Sequence, residues 1–84
     1  MVFDPKAHAK ELLALFERYA ADRPDSAADL RGLKCARELV RLMSIDNPNT
    51  AEVDALCSEL SAWPDGAGSA WHDLQVTAQN WRQR

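Results

Sequence analysis

The stretch Ser26-Ala27-Ala28-Asp29-Leu30-Arg31-Gly32-Leu33-Lys34-Cys35-Ala36-Arg37-Glu38-Leu39-Val40-Arg41-Leu42-Met43 decides the fold. Its apolar residues Leu30, Leu33, Ala36, Leu39, Val40, Leu42 and Met43 return at steps of three and four, the spacing that gathers side chains on one side of an α-helix. The arc is wide enough to touch two neighbours, which predicts a central helix over about 26–45. Gly32 within it is less favourable than Ala by up to about 1 kcal/mol. A neighbouring helix packed closely at that point would account for it.

On the N-terminal side lies Asp22-Arg23-Pro24-Asp25-Ser26, where Pro24 disfavours a helical Arg23 and Asp25 or Ser26 can cap the central helix. Before this break Leu12, Leu13, Leu15, Phe16, Tyr19 and Ala20 repeat with helical spacing. Asp4-Pro5 supplies a capping carboxylate and a proline that loses no hydrogen bond at the first helical position, so a helix is predicted over about 5–22.

On the C-terminal side Asp46-Asn47-Pro48-Asn49-Thr50 is a break, and Asn49 with Glu52 has the spacing of a capping box. The helix it opens, about 50–63, carries Val53, Leu56, Cys57, Leu60 and Trp63 on one narrow stripe. Pro64-Asp65-Gly66-Ala67-Gly68 ends it, since proline stops a helix and glycine permits a reversal. Ser69 is the next cap. A helix over about 69–82 follows, with Ala70, Trp71, Leu74, Ala78 and Trp81 on its stripe and His72 and Val76 off it. No segment alternates with the two-residue period of a strand. The expected fold is all-α: one helical domain over 1–84, a small four-helix bundle of sequential antiparallel helices joined by short breaks.

Eighty-four residues allow one small domain, and the 46% hydrophobic content is too high for native disorder. So short a chain is marginally stable alone, and self-association or a partner would help. No apolar run approaches the roughly 20 residues that span a bilayer, so no membrane is expected. The opening Met1-Val2-Phe3-Asp4-Pro5 lacks the basic and apolar regions of a secretory signal, and two cysteines are too few for a disulfide scaffold. The expected compartment is the cytoplasm.

Catalysis lacks residues. There is no G-x-S-x-G, no phosphate-cradling glycine loop and no H-E-x-x-H, and four short helices leave little volume for a pocket. Cys35, Cys57, His8 and His72 have the composition of a zinc site without its close ligand spacing. In an up-down bundle the two histidines lie at opposite ends, on the order of 20 Å apart. No enzyme, cofactor or metal is expected. Cys35 and Cys57 flank the turn between the second and third helices almost symmetrically, so a disulfide is geometrically conceivable. Both lie on apolar arcs, however, where reduced cysteine packs as a small hydrophobe.

Charge is the remaining signal. The net charge is −3, which argues against a general polyanion binder. Its distribution is uneven. Arg31, Lys34, Arg37 and Arg41 lie in the central helix, and Lys34, Arg37 and Arg41 form one basic stripe. The segment from Asp46 to Asp65 carries Glu52, Asp54 and Glu59 and no basic residue. Such stripes are commonly solvated faces, with some cross-helix pairing that contributes about 0–1 kcal/mol per pair. As functional faces, they suit a complementary protein or, for the basic stripe, phosphate. A helix-turn-helix reading is weak: the third helix is acidic, and Asp25 and Asp29 stand where phosphate would lie against the second. Trp81 beside Arg82 and Arg84 has the composition of a binding hot spot, and with Val76 it nominates the fourth helix for a homodimer or partner interface.

By subtraction, the expected function is a non-catalytic protein–protein interaction module, an adaptor, inhibitor or small regulatory subunit. The candidate contact residues are Arg31, Lys34, Arg37, Arg41, Glu52, Asp54, Glu59 and Trp81. The alternative is a nucleic-acid-associated regulator using the basic stripe of the second helix.

Overall fold

A computed structural model of the chain describes residues 4–45, 50–62 and 68–82. Asp4 accepts a hydrogen bond from the Lys6 N–H at 3.1 Å, and Pro5 opens α1, Pro5–Asp22. The Ser26 hydroxyl accepts from the Asp29 N–H at 3.3 Å and starts α2, Ala27–Met43. Helices α3, Thr50–Ser61, and α4, Ser69–Arg82, complete the set, and every regular element among the described residues is helical. The capping box at Asn49, the turn over 64–67 and Trp63 lie outside the described residues.

Two helices end earlier than their apolar patterns suggest. The Ser44 N–H reaches the Val40 and Arg41 carbonyls, both at 3.2 Å, and the Ile45 N–H bonds to Leu42 at 3.2 Å. That tightening to three-residue spacing closes α2 at Met43 rather than Ile45. In the same way the Ala62 N–H bonds to the Glu59 carbonyl at 3.1 Å, and α3 ends at Ser61 rather than at residue 63.

Each consecutive pair is antiparallel, as expected. Arg23 and Phe16 of the α1 end meet Asp29 and Gly32 of α2. Arg41 near the end of α2 meets Glu52 near the start of α3, and Leu60 and Asp54 of α3 meet Trp71 and Arg82 of α4. One diagonal of the bundle is short: Arg31 of α2 lies over the Trp71 ring of α4, whereas α1 and α3 do not meet among the described residues. All four helices contribute to one core, built around Leu12, Phe16, Leu39, Leu42, Leu60, Trp71 and Leu74. The radius of gyration, 12.2 Å, is that of a well-packed chain of this length, about 12 Å.

Gly32 is buried where α1 crosses α2. A methyl group there would stand 2.6 Å from Cδ1 and 2.8 Å from Cζ of Phe16, and closer still to Cε1. The close approach expected from the sequence is therefore present, and it is made by an aromatic ring. Leu30, expected on the apolar arc, is 46% exposed. It lies two residues before Gly32, about 160° round the helix from it, so the two cannot share a face. Thr77, not expected in the core, is buried because its hydroxyl donates to the Asp73 carbonyl one turn back, at 2.7 Å, and leaves only its methyl to pack. Val76 is exposed, as its place off the α4 stripe suggests.

Candidate functional site

The chain has no loop-borne cluster of reactive groups among its described residues, so the candidate site has to be sought on helix faces. The antiparallel pairing of α2 and α3 puts Lys34 level with Glu59 at one end and Arg41 level with Glu52 at the other. Between them runs an open groove of about 260 Å³. Its rim is Lys34, Glu38, Glu52, Ala55 and Glu59; its floor is Cys35 and Leu56. Helical periodicity explains the division: Cys35 and Leu56 turn toward the core, Glu38, Glu52 and Glu59 flank them one turn away, and Lys34 immediately precedes Cys35.

Arg41 is the most connected residue of this face. Its Nε donates to Glu38 Oε2 at 3.1 Å and its Nη2 to Glu38 Oε1, a bidentate pair one turn apart. The same Nη2 lies 3.7 Å from Glu52 Oε1 across the helix boundary. The hydrogen bonds from Arg41 hold the Glu38 carboxyl below its usual range. This is the cross-helix pairing expected between basic α2 and acidic α3, and its side chains remain about half exposed.

The groove floor is unreactive. Burial pushes the Cys35 thiol up to about 11, and the neighbouring Glu59 carboxylate pushes the same way against the weaker influence of Arg31 and Lys34. A nucleophilic cysteine needs the opposite shift. Burial likewise raises Cys57. Both cysteines are buried, as their places on the apolar arcs suggest. No group of three His, Cys, Asp or Glu side chains among the described residues is placed to hold a metal ion. No helix among them is long and apolar enough to cross a membrane.

Of the eight candidate residues, Lys34, Glu52 and Glu59 line this groove, and Arg41 adjoins it through its pairs with Glu38 and Glu52. Arg31 does not join them: its guanidinium lies 5.6 Å from the centre of the Trp71 ring, tying α2 to α4. Asp54 pairs with Arg82 at 2.9 Å and ties α3 to α4. Arg37 is exposed on α2 and does not line the groove. Trp81 is half-buried and packs against the core. Charge spacing along each helix is enough to nominate the groove residues. It cannot separate them from Arg31 and Asp54, because long side chains choose partners on other helices.

Three features escape the sequence reading. Glu38 belongs to the rim, and its position three residues before Arg41 is the signal that could have found it. Asp29, read as an acidic entrance to α2, is buried, with its Oδ2 3.0 Å from Arg23 Nε in an ion pair that is not an aligned hydrogen bond. Arg23 also covers the Tyr19 ring at 5.0 Å, so this trio closes the α1–α2 corner. Trp71, the largest fully buried side chain, donates its indole N–H to the Leu60 carbonyl at 2.9 Å. That carbonyl is one of those a helix end leaves without an internal partner. Compared with protein-family models, curated proteins and solved structures, the chain matches none of them.

Proposed function

We propose that this chain is a non-catalytic protein-interaction module, an adaptor, inhibitor or small regulatory subunit, and that it works through the α2–α3 face. The observation that carries the reading is the grouping of Lys34, Glu38, Glu52 and Glu59 round a groove with an apolar floor, with Arg41 bridging Glu38 and Glu52 beside it. An apolar centre with a charged rim is the anatomy of a protein contact, in which the rim sets orientation and the centre supplies burial. A raised Cys35 thiol supports a non-catalytic role, and two reduced thiols suit a reducing compartment such as the cytoplasm.

Binding to nucleic acid is less well supported. Glu38 and Glu52 engage Arg41, and Arg31 lies on Trp71, so the basic stripe is partly occupied within the chain itself. Tagged chain is captured from host lysate at physiological salt, and the eluate is read by mass spectrometry and by absorbance at nucleic-acid wavelengths. The expected result is one stoichiometric protein whose recovery falls with Lys34→Glu and is unchanged with Lys10→Glu on α1. Nuclease-sensitive nucleic acid without a protein would overturn the reading.

A further inference from the structure

We infer that the groove between α2 and α3 receives a short helical segment of another protein. The segment presents one apolar side chain to the floor, with an acidic side chain toward α2 and a basic one toward α3. The inference rests on the reading of this face as a protein contact and names the class of partner.

Size limits the occupant first. A groove of about 260 Å³ falls short of the roughly 300–1,000 Å³ of sites that enclose a small molecule, so it suits a side chain held by a longer body. Helix α3 has 12 residues, about 18 Å at 1.5 Å per residue. A folded partner resting on so short a face would bury well under the roughly 800 Å² per side of a standard interface; a segment of about three turns needs no more. The lining then decides its conformation. Strand addition requires an exposed sheet edge, and every regular element among the described residues is helical. Polyproline recognition requires an aromatic-lined groove, and no aromatic side chain among the described residues lines this one. Phosphopeptides require a cluster of arginines, and Lys34 is the sole cation in the lining. What remains is a helix lying in the groove with its apolar stripe down.

Charge fixes the flanks. Of the four charged side chains in the lining, Glu38 and Glu52 are already engaged by Arg41. Lys34 and Glu59 differ: among the described residues neither enters an ion pair, although they stand level on opposite sides of the groove. The opening holds them apart, and the neighbour of Glu59 on the floor is the Cys35 thiol, which is neutral. A helix pressed onto Cys35 and Leu56 meets Lys34 on one side and Glu59 on the other. Side chains three and four residues from an apolar anchor lie one turn along it, on opposite sides of its stripe and at nearly the same height. The segment therefore carries an apolar residue and, three and four positions from it, one acid and one base. Its direction along the groove sets their order. The contact is transient and weakens with salt, because it is small and Lys34 is exposed.

Two synthetic peptides of about four turns, each held helical by a side-chain lactam, test this by fluorescence anisotropy. Both carry one leucine on a body of alanine and glutamine. In one, glutamate then arginine occupy the third and fourth positions after the leucine; in the other the order is reversed. Wild type is expected to bind one order at least about fivefold more tightly, since the wrong order sets like charges together twice. K34E/E59K exchanges the two charges of the groove and is expected to invert that preference. Ala55→Tyr, at an exposed position of the rim, fills the groove and is expected to weaken binding about tenfold, as is alanine in place of the peptide's leucine. Circular dichroism confirms that each variant is helical, and the preference and leucine requirement of wild type stand as tests even where a variant fails to fold. Wild type that binds neither peptide at about 1 mM, or both alike, overturns the inference, as does binding that survives loss of the leucine. So does a folded K34E/E59K that keeps the wild-type preference, or a folded A55Y that binds as wild type. If lysate capture still yields a protein in a Lys34-dependent way while neither peptide binds, the helical segment falls and the protein-interaction reading stands. If capture also fails, both fall.

Discussion

Replacing Gly32 with Ala tests the α1–α2 contact that organises the bundle. In an isolated helix the change is favourable by up to about 1 kcal/mol, because glycine loses more backbone freedom on folding than alanine. Here the added methyl meets the Phe16 ring, 2.6 Å from Cδ1. Phe16 is itself 3% exposed and packs edge-to-face on Tyr19, with ring centroids 6.1 Å apart, so the ring can give way only by breaking that contact and moving toward a cavity of about 150 Å³ on its border. Overpacking of this kind costs about 1–3 kcal/mol. Set against the propensity gain, the expected net loss is about 1 kcal/mol. For 84 residues at about 2.1 cal/mol/K each, that lowers Tm by about 6 °C. Urea and thermal melts followed by circular dichroism measure it. In the background of Phe16→Leu, which shortens the ring, Gly32→Ala is expected to become neutral or stabilising, and the difference between backgrounds is the coupling energy. A higher Tm for Gly32→Ala in otherwise wild-type protein would refute the reasoning, since α1 would then not approach α2 as closely as the Phe16 contact requires.

Two further outcomes follow from the core. Trp71→Phe removes the indole donor and leaves the Leu60 carbonyl unpaired at the buried end of α3, so urea stability should fall by about 1–3 kcal/mol; an unchanged midpoint would show that the bond contributes nothing. The Cys35 thiol, raised from 9.0 to about 11 in the folded chain, ionises first in the unfolded one. Its contribution to stability is therefore complete below about pH 9 and is lost as pH climbs through 11. Urea melts between about pH 8 and 10.5 should show wild type losing stability relative to Cys35→Ala, and parallel curves would contradict the assignment.

The four helices, the caps at Asp4 and Ser26 and the close approach at Gly32 are all legible in the sequence, because each depends on residues a turn or two apart. Leu30 falls wrongly on the apolar arc when a leucine at a permissive spacing is weighed by its type alone; its angle from Gly32 decides its exposure. The apolar character of Ile45 and Trp63 extends α2 and α3 too far, whereas backbone bonds at Ser44 and Ala62 tighten the last turn. The groove is only half legible. Sequence marks α2 as basic and α3 as acidic, and the antiparallel turn brings Lys34 to Glu59. It does not say that Arg31 will leave its helix face for an indole ring, or Asp54 for Arg82, since those partners lie 40 and 28 positions away in the chain.

The missing contact between α1 and α3 bears on how the molecule is made. Both outer helices seal onto α4, and α4 is the last of the four to leave the ribosome. Until Trp71 and Leu74 arrive, α1 and α3 are linked only through α2, and the apolar sides of Leu12 and Leu60 have no lid. Without α4 the core lacks Ala70, Trp71, Leu74 and Ala78, so the bundle cannot close on the first three helices alone. Folding in the cell is thereby tied to the end of this stretch of translation, and a ribosome that stalls before Ser69 holds an unsealed row of helices.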